Sequence, residues 1–348
     1  MHTIWVILLL ILGIALIVKG GDWFVDAASW VAEALHIPQF IIGATIVSLA
    51  TTMPEILVSA IAAGEGNADM AVGNAVGSVV ANIGLIMGIS MLCLPALFSI
   101  KDYLAKSLML IAAIGILYLL CIGGSLNVYL SLILLAIFIA FIVENLLSAK
   151  RNMAKEKLEK NKENMSDLSA QSESAETATD AQSKPKYPKK VVAKYVILFI
   201  VGAACIVGGA RLLVDYGTEL AVRIGVPSGI IAVTLVAVGT SLPELVTTTV
   251  SISKKKSELS IGNIVGANII DMTLILPLCA IISGGALPVS LQSLRLDMPV
   301  CLLLACIALI PSLIFKKYRR WQGITMLTVY AAYITILVLN VTGVIAIY

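Results

Sequence analysis

Residues 45–55 read TIVSLATTMPE, and residues 234–244 read TLVAVGTSLPE. Each stretch is followed, at the same distance, by a second motif: GNAVGSVVAN at 73–82 and GNIVGANIID at 262–271. Apolar segments share Leu and Val by chance, but chance does not align Thr, Pro, Glu, Gly and Asn in one register. The chain therefore contains an internal duplication, and each copy carries a glutamate inside a long apolar run.

The duplication extends over Gly20–Asn82 and Gly209–Asp271, which align without a gap. The offset is constant at 189 residues, the separation of Glu55 and Glu244. Five predicted membrane spans, an odd number, separate one copy from the other, so the two copies cross the membrane in opposite senses. Inverted repeats of this kind are typical of secondary transporters, whose substrate site lies near the midplane where the repeats meet.

The composition places most of the chain in a lipid bilayer. Of its 348 residues, 59% are hydrophobic and 13% are charged, and the mean hydropathy is +1.00. A soluble globular protein of this size is not so apolar. The net charge of +3, with no basic surface outside the loops and one charged segment, argues against a nucleic-acid partner.

We predict an all-α membrane protein with ten transmembrane helices, arranged as two inverted five-helix repeats. The first repeat comprises residues 1–147, a linker follows at 148–190, and the second repeat comprises 191–348. The predicted spans are Ile4–Val18, Phe40–Ala63, Met70–Leu97, Leu104–Ile122, Leu126–Leu147, Val191–Val214, Gly229–Ser253, Leu259–Ile282, Met298–Phe315 and Ile324–Ile345.

Basic residues predict which side of the membrane each loop faces, because short cytoplasmic loops retain Lys and Arg. The loops after odd-numbered spans are rich in both and include Lys101 and Lys106 after span three. The loop after span eight carries Arg295 and Asp297. We therefore predict a multi-pass protein of the cell membrane with both termini outside and the linker in the cytoplasm.

The linker is the one strongly charged part of the chain. Lys150–Lys190 contains ten basic and seven acidic residues and is rich in Ser, Ala and Gln. Such a composition cannot bury enough apolar surface to fold alone, so we expect a disordered tether, with a regulatory role as the alternative. Its first half is compatible with a charged helical extension of span five.

Three carboxylates lie inside the predicted spans: Glu55, Glu244 and Asp271. An ionised side chain at the centre of a membrane helix costs about 2.5 to 3.5 kcal/mol on insertion scales. The sequence offers no basic residue inside the spans to offset this cost, so the partner is a proton or a metal ion. The alternative is that the carboxyls are protonated and bind neighbouring helices.

Hydroxyl groups accompany both glutamates. Ser48, Thr51, Thr52 and Glu55 have the spacing i, i+3, i+4 and i+7, which places them on one face of a helix. The second copy repeats the pattern with Ala237, Thr240, Ser241 and Glu244. The prolines Pro54 and Pro243 lack an N–H and release backbone carbonyls of the preceding turn. Each copy therefore gathers hard oxygen ligands around its carboxylate.

The second motif of each copy adds amide and carboxylate oxygens on one face of the next helix. These residues are Asn74, Ser78 and Asn82 in the first copy and Asn263, Ala267 and Asp271 in the second. Oxygen ligands without Cys or His suit Ca²⁺ or Na⁺ and argue against zinc and copper. The glycines Gly73, Gly77, Gly262 and Gly266 indicate close helix packing or a direct role in the site.

The paired motifs resemble the alpha-repeats of the cation/calcium antiporter superfamily, in particular those of prokaryotic Na⁺/Ca²⁺ exchangers. The resemblance covers the chain outside the linker. It implies that Glu55 and Glu244 are the central Ca²⁺ and Na⁺ ligands, assisted by Asn82 and Asp271. It further implies Na⁺ contacts from Ser48, Thr51, Thr52, Ser78, Ala237, Thr240 and Ser241. The family fold has ten helices, of which spans one and six form a sliding pair.

The chain departs from the family pattern at Ala267, where Ser is usual, so the resemblance implies one oxygen fewer in a Na⁺ site. Three functions remain open at this point: a Na⁺/Ca²⁺ antiporter, an antiporter of Ca²⁺ with H⁺ or another cation, and a passive cation channel. The sequence contains no phosphate-binding loop, nucleophile–base set or metalloprotease motif. We therefore expect a transporter and not an enzyme, a monomeric transport unit, and no cofactor beside the transported Ca²⁺ and Na⁺.

Overall fold

A computed structural model describes residues 3–93, 100–170, 187–223 and 239–345, and these residues are almost entirely helical. The first half contains α1 (Thr3–Leu35), α2 (Gln39–Ile42), α3 (Ser48–Thr51), α4 (Met53–Gly64), α5 (Ala68–Ala81), α6 (Gly88–Cys93), α7 (Ile100–Cys121) and α8 (Val128–Ala170). The second half contains α9 (Lys189–Arg223), α10 (Leu242–Ser253), α11 (Ser257–Ile270), α12 (Leu276–Ile282), α13 (Met298–Phe315) and α14 (Arg320–Val341).

Wider π-helical turns interrupt several of these helices. They lie at Gly43–Val47, Asn82–Met87, Asp271–Ile275 and Ser293–Asp297. Two short strands, β1 (Ser125–Asn127) and β2 (Ala286–Pro288), pair in antiparallel fashion. The strands follow predicted spans four and eight, so both loops lie at the same face of the molecule, as the predicted span order requires.

Eight helices in the described ranges are long and apolar enough to cross a membrane, and a bent pair makes a ninth. The bent pair joins Gln39–Thr51 to Met53–Gly64 at an angle of 45°. The predicted span Gly229–Ser253 is described only in its second part, as α10, and its first part lies outside the described residues. The protein is thus a multi-pass helical membrane protein.

The second and sixth of these eight helices differ sharply in burial from α9. In the most apolar window of Ala68–Cys93 72% of the residues are buried, and in that of Ser257–Ile282 83%, against 11% for Lys189–Leu220. The segments that carry the second motif of each copy therefore form the centre of the bundle. Helix α9 lies at its periphery.

Glycines bring α1 and α9 into backbone contact. A Cβ at Gly20 would lie 2.9 Å from the carbonyl oxygen of Gly202, and one at Gly209 would lie 2.7 Å from that of Gly13. Gly13 and Gly202 are equivalent positions at the constant offset of the repeat, and so are Gly20 and Gly209. Gly20 of the first copy thus meets the equivalent of Gly13 in the second copy, and Gly13 meets the equivalent of Gly20. A two-fold axis between the copies produces reciprocal contacts of this kind.

Helix α1 is much longer than the predicted span Ile4–Val18, because it continues to Leu35. Its polar second half finds partners on the loop that follows α10. The Lys254 ammonium lies 2.8 Å from the Asp26 carboxylate, and that of Lys256 lies 3.2 Å from Glu33. The acidic residues in this part of α1 thus belong to a helix that forms ion pairs with the loop after α10, and they do not lie in a loop.

Lys106 and Asp297 do not lie in loops as predicted. Lys106 is fully buried within α7 and forms an ion pair of 2.7 Å with Glu144 of α8. Asp297 is 3% exposed and accepts hydrogen bonds from Tyr333 and Ser293. The expectation that the spans contain no basic residue was therefore wrong. Counting charges along the sequence fails here because a neighbouring helix supplies the partner.

The linker region begins as helix. Helix α8 runs without interruption from the membrane to Ala170, while residues 171–186 lie outside the described part of the chain. Tyr187 resumes the described chain beside α1, where its ring packs edge-on against Trp30 at 5.4 Å between ring centroids.

Gly262 and Gly266 of α11 pack directly against the backbone of α2 and the π turn that follows it. A Cβ at Gly262 would lie 2.2 Å from the carbonyl oxygen of Phe40, and one at Gly266 would lie 2.6 Å from that of Ala44. The prediction of close packing is confirmed for these two glycines. No described atom lies within 4 Å of a Cβ built at Gly73 or Gly77.

Replacing Gly262 by Ala should destabilise the protein. Backbone atoms cannot move aside as a flexible side chain can, and overpacking a helix contact costs about 1 to 3 kcal/mol. Gly115→Ala in α7 is the matched control, because no described atom lies within 4 Å of the added Cβ. Thermal unfolding in detergent should show a lower midpoint for Gly262→Ala only, and equal midpoints would contradict the packing described.

Candidate functional site

Both repeats break a helix immediately before the glutamate of the first motif. Helix α3 ends at Thr51, and α4 begins at Met53 with Pro54 in its first turn. In the second copy α10 begins at Leu242, again with proline in the first turn. A proline at this position has no N–H to leave unsatisfied, so it favours a helix start. Glu55 and Glu244 consequently lie in the first turn of their helices, where the helix dipole favours a negative charge.

The carboxylates of the two repeats are buried together at the centre of the bundle. Glu55 and Glu244 are 1% exposed and Asp271 is 0% exposed. Glu55 lies close enough to Glu244 and Asp271 for their charges to interact. Both carboxylate oxygens of Glu55, both of Asp271 and Oε2 of Glu244 receive no hydrogen bond from the described residues. Buried acidic oxygens without donors are costly, and a cation offsets that cost directly.

Neutral oxygens from both repeats surround these carboxylates. The Thr52 hydroxyl of the first repeat donates to Oε1 of Glu244 in the second at 3.4 Å. The hydroxyls of Ser78 and Thr240 lie 3.4 Å apart, again across the repeats. Oδ1 of Asn82 is buried without a described hydrogen-bond partner.

The two second motifs end in the same local distortion. A π-helical turn begins at Asn82, and another begins at the equivalent Asp271. Such turns are rare and occur frequently at functional sites, since the extra residue redirects side chains and loosens the backbone hydrogen bonding. Each turn begins at the residue that the sequence singled out on that helix.

The remaining predicted residues take different positions. Ser48 is fully buried, and its hydroxyl donates to the Thr45 carbonyl at 3.1 Å. Thr51 donates to Oδ1 of Asn263 at 3.2 Å. The Ser241 hydroxyl is buried without a described partner, and Ala267 is fully buried one turn before Asp271. Ala237 lies outside the described residues.

In the described ranges no three His, Cys, Asp or Glu side chains form a group that could hold a metal ion by themselves. A cation between Glu55 and Glu244 therefore needs hydroxyl, amide and backbone oxygens to complete its coordination. This fits the hard oxygen donors that Ca²⁺ and Na⁺ accept and that zinc does not favour.

The structure shows surroundings of three asparagines that the sequence did not predict. Asn74 and Asn263 were noted as polar positions, but their hydrogen bonds to the neighbouring helix were not foreseen. Asn74 donates to Ser59, and Asn263 donates to Thr247, each at 2.9 Å. Asn268 is fully buried, and its amide has no described partner. Its signal in the sequence is the i, i+3 spacing to Asp271, which places both side chains on neighbouring positions of the helix surface.

The fold and these residues define a multi-pass helical membrane protein with acidic oxygens at its centre. The family model described as "Sodium/calcium exchanger protein" matches residues 5–147 and 194–339, which covers both repeats. The chain therefore belongs to the sodium/calcium exchanger family.

Individual relatives agree with this assignment over almost the whole chain. The sodium/calcium exchanger MaX1 of Methanosarcina acetivorans is 33% identical, covering 95% of this chain and 97% of that protein. The inner membrane protein YrbG of Escherichia coli is 32% identical over 80% of each chain. The solved structure of the sodium–calcium exchanger NCX_Mj superposes with a TM-score of 0.76 at 27% identity, covering 96% of this chain and 99% of that one.

Replacing Glu55 by Gln should raise the thermal stability of the ion-free protein and reduce the stabilisation that Ca²⁺ provides. In chelator and without Na⁺, Glu55→Gln should unfold at a higher temperature than the wild type, because a buried anion next to two others is gone. Added Ca²⁺ should raise the midpoint of the wild type much more than that of the variant.

The exposed Glu65 supplies the control for this measurement. Glu65→Gln should respond to Ca²⁺ as the wild type does. An equal Ca²⁺ response in Glu55→Gln and the wild type would place the cation away from Glu55.

Proposed function

We propose that this protein exchanges Na⁺ for Ca²⁺ across the membrane through one site that opens alternately to either side. The observation that carries the proposal is the meeting of Glu55 and Glu244, one from each repeat, with acidic oxygens that receive no described hydrogen bond. The family supports cation and Ca²⁺ exchange, and the buried carboxylates supply the reason for coupling.

The proposed ligands are those that the resemblance to the family implies. Glu55 and Glu244 bind Ca²⁺ centrally, with Asn82 and Asp271 beside them. Na⁺ ions use the same carboxylates together with neutral oxygens, and this larger set is Ser48, Thr51, Thr52, Ser78, Ala237, Thr240 and Ser241. Ca²⁺ and Na⁺ have nearly equal radii, so the site distinguishes them by charge and by ligand number.

Coupling follows from the cost of moving charge through apolar surroundings. A site with several uncompensated carboxylates resists sliding past apolar helices, whereas a site neutralised by one Ca²⁺ or by several Na⁺ does not. Only loaded states therefore interconvert, and exchange becomes obligatory. The glycine contacts allow α1 and α9 to pack with their backbones close together. This supports the proposal that the pair slides as a unit against the rest of the bundle.

The proposed architecture has ten transmembrane helices in two inverted repeats, 1–147 and 191–348, with 148–190 as a cytoplasmic linker. The Gly13–Gly209 and Gly20–Gly202 contacts support the two-fold relation, and the β1–β2 ribbon supports the span order. Both termini then face outside, and one chain forms the transport unit.

Exchange of Ca²⁺ for H⁺ is the second candidate. Carboxyls that lack a basic partner can accept protons in place of Na⁺. A passive channel fits less well, because a pore is lined by a ring of like elements, whereas two inverted copies meet at a single site.

The driving ion is measured with ⁴⁵Ca²⁺ uptake into proteoliposomes loaded with Na⁺, with K⁺ or with a proton gradient. Uptake should require the outward Na⁺ gradient. Equal uptake in the three preparations would contradict coupling to Na⁺, and uptake with the proton gradient alone would favour H⁺ exchange.

Glu55→Gln and Glu244→Gln should each abolish Ca²⁺ uptake in this assay, because each removes a charge and a bidentate ligand from the same cage. Glu65→Gln should retain it. Flux near that of the wild type in either glutamate variant, at equal reconstitution, would show that Ca²⁺ binds elsewhere.

Ala267→Ser should lower the Na⁺ concentration that gives half-maximal exchange. The new hydroxyl would lie one helical turn from Asp271 and add an oxygen to the Na⁺ site. One weak ligand of about 1 kcal/mol corresponds to a shift of roughly fivefold. An unchanged Na⁺ dependence, with Ca²⁺ affinity intact, would show that Ala267 does not line the Na⁺ site.

A further inference from the structure

The hydroxyl of Thr51 is buried among acceptors from both repeats. It is 3% exposed, it donates to Oδ1 of Asn263 at 3.2 Å or to the Ser48 carbonyl at 3.3 Å, and it also lies within hydrogen-bonding reach of the Glu244 carboxylate. A hydroxyl has one proton and two lone pairs. If its oxygen is to bind a cation, its proton must point to an acceptor on another side. Asn263 is such an acceptor, and it lies on the opposite repeat.

The amide of Asn263 is itself held in one orientation. Its Nδ2 donates to the Thr247 hydroxyl at 2.9 Å. Thr247 uses its only proton for the carbonyls of Pro243 and Glu244, at 2.9 and 3.0 Å, so towards Asn263 it can only accept. The amide nitrogen must therefore face Thr247, and the amide oxygen must face Thr51. This chain of hydrogen bonds connects the backbone of Glu244, through Thr247 and Asn263, to the Thr51 hydroxyl of the first repeat.

The equivalent residues of the other half do not form this connection. Asn74, which corresponds to Asn263, donates to Ser59 at 2.9 Å and to the Glu55 carbonyl at 3.3 Å, both in its own repeat. Thr240, which corresponds to Thr51, lies against Ser78 and not against Asn74. The orientation of a hydroxyl by an asparagine of the opposite repeat is thus a feature of one half only.

We propose that Asn263 is a positioning residue that orients the Thr51 hydroxyl as a ligand for Na⁺. The inference rests on the proposed exchange at this site. The Thr51 hydroxyl lies within hydrogen-bonding reach of the Glu244 carboxylate, so an oriented hydroxyl adjoins a carboxylate that binds the ion. A monovalent ion gains less than a divalent one from each carboxylate, and neutral dipoles therefore supply a larger share of its binding. Loss of Asn263 weakens Na⁺ binding more than Ca²⁺ binding.

The test measures the half-maximal concentrations of Na⁺ and of Ca²⁺ separately, with the full chain in proteoliposomes. Ca²⁺/Ca²⁺ exchange without Na⁺ gives the Ca²⁺ value, and Na⁺-driven Ca²⁺ flux gives the Na⁺ value. Asn263→Ala should raise the Na⁺ value about fivefold, the worth of one hydrogen bond, and leave the Ca²⁺ value within about twofold. Asn145→Ala in α8, a buried asparagine outside the site whose amide donates to the Phe141 carbonyl at 3.0 Å, is the matched control and should not change the ratio of the two values.

A double mutant separates orientation of Thr51 from a general structural effect. In the Thr51→Ala background Asn263→Ala should cause no further rise in the Na⁺ value, because the hydroxyl that it orients is gone. Independent, additive effects would overturn the inference. So would equal shifts in the Na⁺ and Ca²⁺ values of the single variant.

Thr247→Val gives a second route if Asn263→Ala does not fold. It frees the amide to rotate without removing it, and it should raise the Na⁺ value in the same direction. An unchanged Na⁺ value in Thr247→Val and Asn263→Ala, alongside Na⁺-driven flux in the wild type, would overturn this inference alone. Absence of Na⁺-driven flux in the wild type would overturn the proposed exchange and the Na⁺ role of Asn263 with it.

Discussion

Burying several carboxylates in the interior of a membrane protein, without a basic residue beside them, is the constraint on which the rest of this structure depends. Glu55, Glu244 and Asp271 are almost completely shielded, and most of their oxygens receive no hydrogen bond from the described residues. Such groups cost several kcal/mol unless a cation or proton joins them. Helix breaks at the prolines place both glutamates at helix starts, where the dipole offsets part of that cost. The close glycine contacts of α11 hold the two repeats together beside these carboxylates.

Two other buried ionisable side chains have partners, in contrast to the central carboxylates. Lys106 forms an ion pair with Glu144, and Asp297 accepts hydrogen bonds from Tyr333 and Ser293. These contacts hold neighbouring helices together. Removing either partner would leave a buried charge uncompensated. Most oxygens of the central carboxylates have no such partner among the described residues, which is the property expected of a site that must bind and release ions.

The two repeats have closely related sequences, but the central hydrogen bonds are not symmetric. Thr51 reaches Asn263 on the opposite repeat, while Asn74 binds only its own. Gly262 and Gly266 pack tightly on α2 and its π turn. Under the proposed alternating access, a state that is open to one side of the membrane is closed to the other, and the two halves then differ. The same side-chain types therefore make different bonds in the two halves.

The sequence by itself determined the helical membrane class, the duplication and the central residues of the motifs, because lipid demands long apolar helices and makes every polar exception conspicuous. It could not place Lys106 or Asp297, since a charged side chain with a partner on a neighbouring helix looks in sequence like charge in a loop. It also could not show that Asn263 binds Thr51, two residues separated by 212 positions. Spacing along one helix defines which residues share a face. Only the packing of helices from both repeats decides which donors meet which acceptors, and therefore which buried oxygens remain for an ion.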